Sequence, residues 1–246
     1  MAGGAEHILL TGGTGRLGRE LRSLMPDLAA PPRSELDVTR PETIAAAVRR
    51  RRPDVLVHAA AFTDVAAAER DRATCWRVNV EGTRNVVRAA TGEGVFLVYI
   101  STDYVFEGTA GGYKEDDTPG PPCNTYALTK LVAEQLVRLA DHHLVIRTSF
   151  RPREWPYPVA FTDAYTSQDY VDVIAPEIAL AIRRCRDVPW RTLHVATERK
   201  SAFELARRRR PDVRPAARSD ADVPLPYDVS LDVSRWQQLK AEWSRE

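Results

Sequence analysis

The chain has 246 residues, 43% hydrophobic and 28% charged, a globular composition long enough to bury a sizeable core without disulfides or metals. Its 35 basic and 34 acidic side chains leave a formal charge of +1, which gives no electrostatic case for nucleic acid or an anionic membrane surface as partner. The longest apolar run, residues 95–100, is too short to span a bilayer. Residues 1–7 lack the basic segment and apolar stretch of a secretory signal. Cys75, Cys123 and Cys185 are widely spaced and in no metal-ligand pattern, so no metal site and a reducing, cytoplasmic setting are expected.

Residues 6–11, Glu-His-Ile-Leu-Leu-Thr, read as a first strand ending at glycines. A helix follows over residues 15–24, with Leu17, Leu21 and Leu24 on one face. A second strand at 27–30 is short or irregular because Pro26, Pro31 and Pro32 crowd it. Thr39-Arg40-Pro41-Glu42 has the pattern of a capping box, which starts a helix to about Arg51. The strand 54–58, a long helix over 74–90 and the apolar strand 95–100 come next. Residues 107–124, rich in glycine, proline and acids, read as a loop over the site. A helix over 126–139 and a strand over 144–147 complete an alternation that predicts an α/β fold, a Rossmann-type doubly wound parallel sheet. Beyond residue 150 the rhythm breaks, with helices at 171–184 and 201–210 around one strand at 192–195. The expected division is a cofactor-binding Rossmann domain over 1–150 and a small, partly interleaved substrate-binding lobe over 151–246. The run Arg207–Arg210 reads as a helix end, where cations suit the dipole, rather than a nucleic-acid patch.

Thr11-Gly12-Gly13-Thr14-Gly15-Arg16-Leu17-Gly18 lies between predicted strand and predicted helix. Gly12, Gly15 and Gly18 have the spacing that lets backbone turn tightly and approach a pyrophosphate at a helix N-terminus. An NAD-type site places an acid at the end of the second strand. Residues 29–34 hold none, but Arg33 is there and Arg16 sits in the glycine loop. Either guanidinium suits a 2′-phosphate, so NADPH is expected, with NADH as the other choice.

Tyr126 and Lys130 stand at i and i+4 on one helix face, where an ammonium would lower the phenol's pKa and fit it for proton transfer. Ser101-Thr102-Asp103-Tyr104 follows the apolar strand at the sheet's C-terminal edge, where ligands bind. A hydroxyl there can steady a carbonyl oxygen as hydride arrives. Of the histidines, His58 lies at a strand end, near a cofactor or hydrogen-bonded in the core, and His142 and His143 read as a surface turn.

These residues together resemble the extended short-chain dehydrogenase/reductase family, most closely its dTDP-4-dehydrorhamnose reductase branch. The blocks that carry the resemblance are residues 11–18, Leu-Asp-Val-Thr at 36–39, His-Ala-Ala-Ala-Phe-Thr-Asp-Val-Ala-Ala-Ala-Glu at 58–69 and Asn79-Val80. Ile-Ser-Thr-Asp-Tyr-Val-Phe at 100–106, Tyr126 with Lys130, and Arg-Thr-Ser at 147–149 complete them. It is close over the first 150 residues and faint beyond, through Tyr165-Thr166 and Ser230-Leu231-Asp232. The resemblance implies NADPH-dependent reduction of the C4 ketone of a nucleotide-activated deoxysugar. In it Thr102 orients the ketone, Tyr126 donates the proton and Lys130 holds the nicotinamide ribose. Asp37 and Val38 would lie by the adenine, Ala59, Ala60 and Ala61 would line the cofactor, and Asn79 belongs to the same side. Asp103, Tyr104 and Phe150 would face the sugar. Tyr104 replaces a glutamate that related dehydratases carry, which disfavours water elimination.

Two departures stand out. Phe150 replaces the family's tryptophan, and the segment to Tyr165 is shortened, with Arg-Pro-Arg-Glu-Trp-Pro-Tyr-Pro at 151–158 in place of a helix over the substrate. Trp155 and Tyr157 are candidates for stacking on a base or for packing a rigid loop. The alternatives are a non-catalytic NADP-binding regulatory subunit of a partner enzyme, as in the methionine adenosyltransferase relative, and a sugar-nucleotide epimerase. A homodimer stays open, and the resembled reductases can use Mg²⁺ at a subunit contact.

Overall fold

The computed structural model describes residues 7–221 and 223–245. Of residues 1–7, read for a leader, 1–6 lie outside them, and with them the first residue of the predicted first strand. β1 (Ile8–Thr11) leads into α1 (Arg16–Leu24). The predicted second strand is reduced to one parallel bridge, in which the Ala29 N–H donates to the Ile8 carbonyl (2.9 Å) and its carbonyl accepts from Leu10 N–H (2.8 Å). α2 (Pro41–Arg51) and β2 (Val55–His58) follow. Arg40, not Thr39, is the N-cap of α2. The predicted capping box fails because the Thr39 hydroxyl is spent on Asp37 Oδ1 (2.8 Å).

The helix predicted over 74–90 is three pieces: α4 (Arg72–Trp76), preceded by α3 (Val65–Arg70), then a π-turn (Arg77–Glu81) and α5 (Gly82–Gly92). β3 (Phe96–Thr102), α6 (Thr125–Val137) and β4 (His143–Thr148) match the predicted alternation. His143 is a buried strand residue rather than part of a surface turn, its Nδ1 2.7 Å from the Ala140 carbonyl. Short strands come next: β5 (Phe150–Arg151), β6 (Val159–Phe161), β7 (Tyr165–Thr166) and β8 (Asp169–Tyr170). They precede α7 (Val171–Arg183), β9 (Thr192–His194), β10 (Lys200–Ser201), α8 (Ala202–Arg207), β11 (Arg214–Ala216) and α9 (Ser234–Trp243). α8 stops earlier than predicted. Its Ser201–Glu204 capping box starts it, while Arg208, Arg209 and Arg210 are drawn off to Asp169, Asp172 and the Tyr157 carbonyl.

The main sheet is wholly parallel in the order β1-β2-β3-β4-β9. Its strands alternate between two apolar faces, as burial on both sides requires. Leu10, Val57, Val98, Ile100 and Ile146 face α1 and α7, while Leu9, Leu56, Leu97, Tyr99 and Val145 face α2, α5 and α6. This is the Rossmann-type arrangement. α7 and α9 (Ile178, Ile182, Trp236, Leu239) cover the same sheet face as α1, so the chain returns to the sheet after the 150 boundary. The other short strands form two-stranded pairs around a small core of Trp155, Tyr170 and Leu205. From β1 the chain runs to Ala29 on one side, then crosses back to β2 on the other. That reversal opens a crevice beyond β1 and β2, the switch point where such sheets bind ligands.

Candidate active site

One continuous cleft of about 580 Å³ runs from that crevice to the short strands. At its first end the backbone turns at Gly12 with φ +76°, a conformation open to glycine. A Cβ there would lie 2.7 Å from the Ala60 nitrogen, and one on Gly18 would strike the Gly12 carbonyl oxygen. The loop therefore needs Gly12 to lie against residues 59–60 and Gly18 to let the start of α1 fold back onto the loop. Gly15 caps α1 without any side-chain hydrogen bond, so the helix's first N–H groups face the cleft unshielded by a side chain. Arg16 lines this end, as do Leu17, Arg33, Asp37, Val38 and Ala59–Ala61. Arg33 Nε donates to Asp37 Oδ2 (3.0 Å), and its side chain is 74% exposed. Asp37 also accepts from Thr39 N–H (2.9 Å). Burial raises the Asp37 pKa, but the Thr39 backbone and hydroxyl and Arg33 outweigh it and hold the carboxyl below its usual range.

Behind the loop, His58 is a buried core histidine. Its Nδ1 lies 2.8 Å from Thr11 Oγ1 and its Nε2 3.0 Å from Thr83 Oγ1. Thr83 donates its own proton to the Asn79 carbonyl (2.6 Å), so it accepts from Nε2–H, and Nδ1 accepts from Thr11. Thr11 Oγ1 in turn accepts from Ala60 N–H (3.2 Å). Burial, then the Lys130 charge, lowers the His58 pKa to about 3 and keeps the ring neutral. Asn79, on the π-turn, lies outside the cleft lining. Its amide accepts from Phe62 N–H (2.7 Å) and donates to the Phe62 carbonyl (3.1 Å) and Thr129 Oγ1 (3.0 Å), so it fixes the 59–63 wall. π-turns concentrate at functional sites.

At the cleft's centre β3 delivers Thr102 and the following turn delivers Asp103 and Tyr104. The Thr102 hydroxyl donates to Asp103 Oδ1 (2.9 Å). Asp103 is 1% exposed; burial raises its pKa to about 6 against the hydroxyls of Thr102, Ser149 and Thr166. Tyr126 opens α6, where the Asn124 cap accepts from Ala127 N–H (2.8 Å). Its ring meets Tyr104 edge-on, centroids 6.2 Å apart. The pKa of the Tyr126 phenol is raised rather than lowered as expected. Lys130 Nζ donates to the Ile100 carbonyl (2.8 Å) and rests 4.2 Å from the Tyr99 ring centroid. Burial therefore dominates both groups. It pushes the Tyr126 phenol up, opposed by the Thr102 hydroxyl, and lowers Lys130 to about 7 despite Glu134. Beneath them, Ser101 and Arg147 converge on buried Glu134 at 2.6 and 2.9 Å, which stiffens the strand and helix that carry Thr102 and Tyr126.

Phe150 lines the far end with Ser149, Arg151, Tyr165, Thr166, Gln168, Pro226 and Val229. Sequence reasoning missed most of these, since they come from short segments without periodicity. The loop 107–124 does not line the cleft; it packs beside it, Tyr113 N–H donating to the Ser230 carbonyl (2.9 Å) and Asp228 N–H to the Gly108 carbonyl (2.7 Å). Trp155 cannot stack on a base, because it is buried with Nε1–H on the Val159 carbonyl (3.1 Å). Among the described residues no group of three His, Cys, Asp or Glu side chains could hold a metal ion, and no helix is long and apolar enough to cross a membrane.

The parallel sheet, its switch-point glycine loop and the Tyr126–Lys130 helix define a Rossmann-type protein of the extended short-chain dehydrogenase/reductase kind. Residues 6–151 match the RmlD substrate binding domain, and the chain belongs to that family. It is 38% identical over 148 residues to a dTDP-4-dehydrorhamnose reductase of Streptomyces griseus, covering 58% of this chain and 49% of that one. Over 184 residues it is 36% identical to the Mycobacterium tuberculosis reductase of the same name, with 71% and 56% covered. The chain thus spans about half the length of these relatives. A Bacillus anthracis dTDP-4-dehydrorhamnose reductase, solved in complex with NADP, superposes with a TM-score of 0.84 at 27% identity, covering 97% of this chain and 93% of that one. A Sulfolobus tokodaii structure described as a hypothetical dTDP-4-dehydrorhamnose reductase gives 0.83 at 32%, with 95% and 94% covered.

Proposed function

We propose that the chain is an NADPH-dependent ketoreductase that reduces the C4 ketone of a nucleotide-activated deoxysugar. One observation carries this reading: Thr102, Tyr126 and Lys130 line a single cleft together with the glycine loop and with residues of the C-terminal lobe. The glycine cradle, the bare N-terminus of α1 and the guanidinium groups of Arg16 and Arg33 suit a pyrophosphate and a 2′-phosphate. The Bacillus anthracis neighbour, solved in complex with NADP, supports the same choice. Asp37 and Val38 flank the adenine, Ala59, Ala60 and Ala61 wall the cofactor, and Asn79 holds that wall in place. A reduced nicotinamide bound there supplies the hydride.

Tyr126 donates its phenolic proton to the ketone oxygen, and the Thr102 hydroxyl orients that oxygen. Lys130, buried and near its titration midpoint at neutral pH, places a positive charge at the nicotinamide ribose. Asp103, Tyr104 and Phe150 face the sugar. In this division residues 1–150 hold the cofactor, and the short strands of 151–246 supply the substrate lobe. A cytoplasmic homodimer belongs to the same reading.

The test is loss of nicotinamide absorbance with freshly made dTDP-4-keto-6-deoxyglucose or its epimerised form. Tyr126→Phe is expected to lower turnover ~10²–10⁴-fold with NADPH affinity held. Turnover equal to the parent protein would remove Tyr126 from the reaction.

A further inference from the structure

The far end of the cleft contains a cation, Arg151, that makes no ion pair among the described residues. Arg151 lies on β5, and its pairing with β8 sets Phe150 opposite Asp169 and Arg151 opposite Tyr170. Its side chain lines the cleft, with the guanidinium carbon 5.3 Å from the Trp155 ring centroid and 5.9 Å from that of Tyr157. Those rings steady the guanidinium without neutralising it. Its Nε is buried and has no hydrogen-bond partner, a rare condition for a charged donor. Two described carboxylates of this region are committed elsewhere. Asp103 accepts from Thr102 and Thr166, and Asp169 takes Arg208, Thr197 and the Tyr170 N–H. Arg151 lines the same cleft as Tyr104, whose ring meets that of the proposed proton donor Tyr126 edge-on.

We infer that Arg151 is a substrate-recognition residue, its guanidinium placed to take the diphosphate of the nucleotide-linked sugar. This rests on the ketoreductase reading for the identity of the substrate. A planar fork of N–H donors matches phosphate oxygens in pairs, and a C4 ketone held at Tyr126 puts the C1-linked diphosphate across one sugar ring from it. It also gives the shortened lobe a specific hold on substrate that needs no covering helix.

The experiment measures binding of dTDP, inorganic pyrophosphate and glucuronate by calorimetry to the NADPH-saturated protein, its Arg151→Gln and its Arg151→Lys. Arg151→Gln is expected to weaken dTDP and pyrophosphate about 10- to 100-fold. Arg151→Lys should fall between, with NADPH affinity equal in all three as the check on folding. In turnover, KM for the keto sugar rises while kcat is held. Equal dTDP affinity in Arg151→Gln overturns the inference, as does Arg151-dependent binding of glucuronate without binding of pyrophosphate. Absent turnover alongside Arg151-dependent dTDP binding sinks the reductase reading alone. Turnover with dTDP binding indifferent to Arg151 sinks this one alone.

Discussion

The glycine-loop end of the cleft is built around one stretch of backbone, residues 11–18, closed against the wall at 59–61 and flanked by Arg33, Asp37 and Val38. The Arg151 end draws on residues from 149 to 229, held by strand pairs of two or three residues and by ion pairs. Close approach of main chain to main chain governs the first: Gly12 against Ala60, Gly18 against Gly12. Charge lattices govern the second. Arg208 and Lys200 share Asp169 at 3.2 and 3.7 Å, Arg209 is bidentate on Asp172, and Arg199 pairs with Asp228 at 2.7 Å. A backbone site tolerates change outside its glycines. A site assembled from side chains can be retuned one residue at a time, as the Phe150-Arg151 pair illustrates.

The contrast can be broken from the Arg151 end with Asp169→Ala. Lys200 is 3% exposed in its side chain, and losing this carboxylate leaves its ammonium with Glu198 at 3.5 Å as its remaining acid. A stability loss of about 3 kcal/mol is expected. Hydrogen exchange should speed first in β7, β8 and β10 while β1–β4 stay protected; uniform loss of protection would show that the lobe and sheet unfold as one. On the other side, Gly18→Ala sets a methyl on the Gly12 carbonyl and 2.7 Å from the Gly13 Cα. This overpacking should cost ~1–3 kcal/mol by denaturant titration and weaken NADPH binding in parallel. A stable variant with unchanged NADPH affinity would show that the loop can shift without penalty. The smallest expected effect is Arg33→Ala. Because its guanidinium is exposed and shared with Asp37, NADPH affinity should fall by no more than ~1 kcal/mol, and NADH affinity by less. Equal losses for the two nucleotides would return Arg33 to the surface.

Legibility in the sequence followed the same divide. The strands 54–58, 95–100 and 144–147 and the helices from 15, 41, 126 and 171 were readable because their apolar periodicity is the packing itself: Leu9 and Leu10 already announce two buried faces. The glycine spacing was readable because it is a steric demand on consecutive residues. The hidden features depended on partners distant in sequence. Thr39 loses its capping role to Asp37, and the 74–90 helix widens at the π-turn where Asn79 grips Phe62 and Thr129. Spacing put Tyr126 and Lys130 on one helix face, yet not what each would meet.

The sequence by itself determined the doubly wound sheet, the glycine loop at its first crossing and the order in which Thr102, Tyr126 and Lys130 arrive. Local sterics and periodicity act through neighbours along the chain, so these features are written there. Only the tertiary structure decided that Lys130 turns to the Ile100 carbonyl, that Trp155 is buried in the lobe's own core and that Arg151 lines the cleft with its Nε lacking a hydrogen-bond partner among the described residues. Burial and charge compensation depend on what folds against a residue, and those neighbours come from segments that no local pattern brings together.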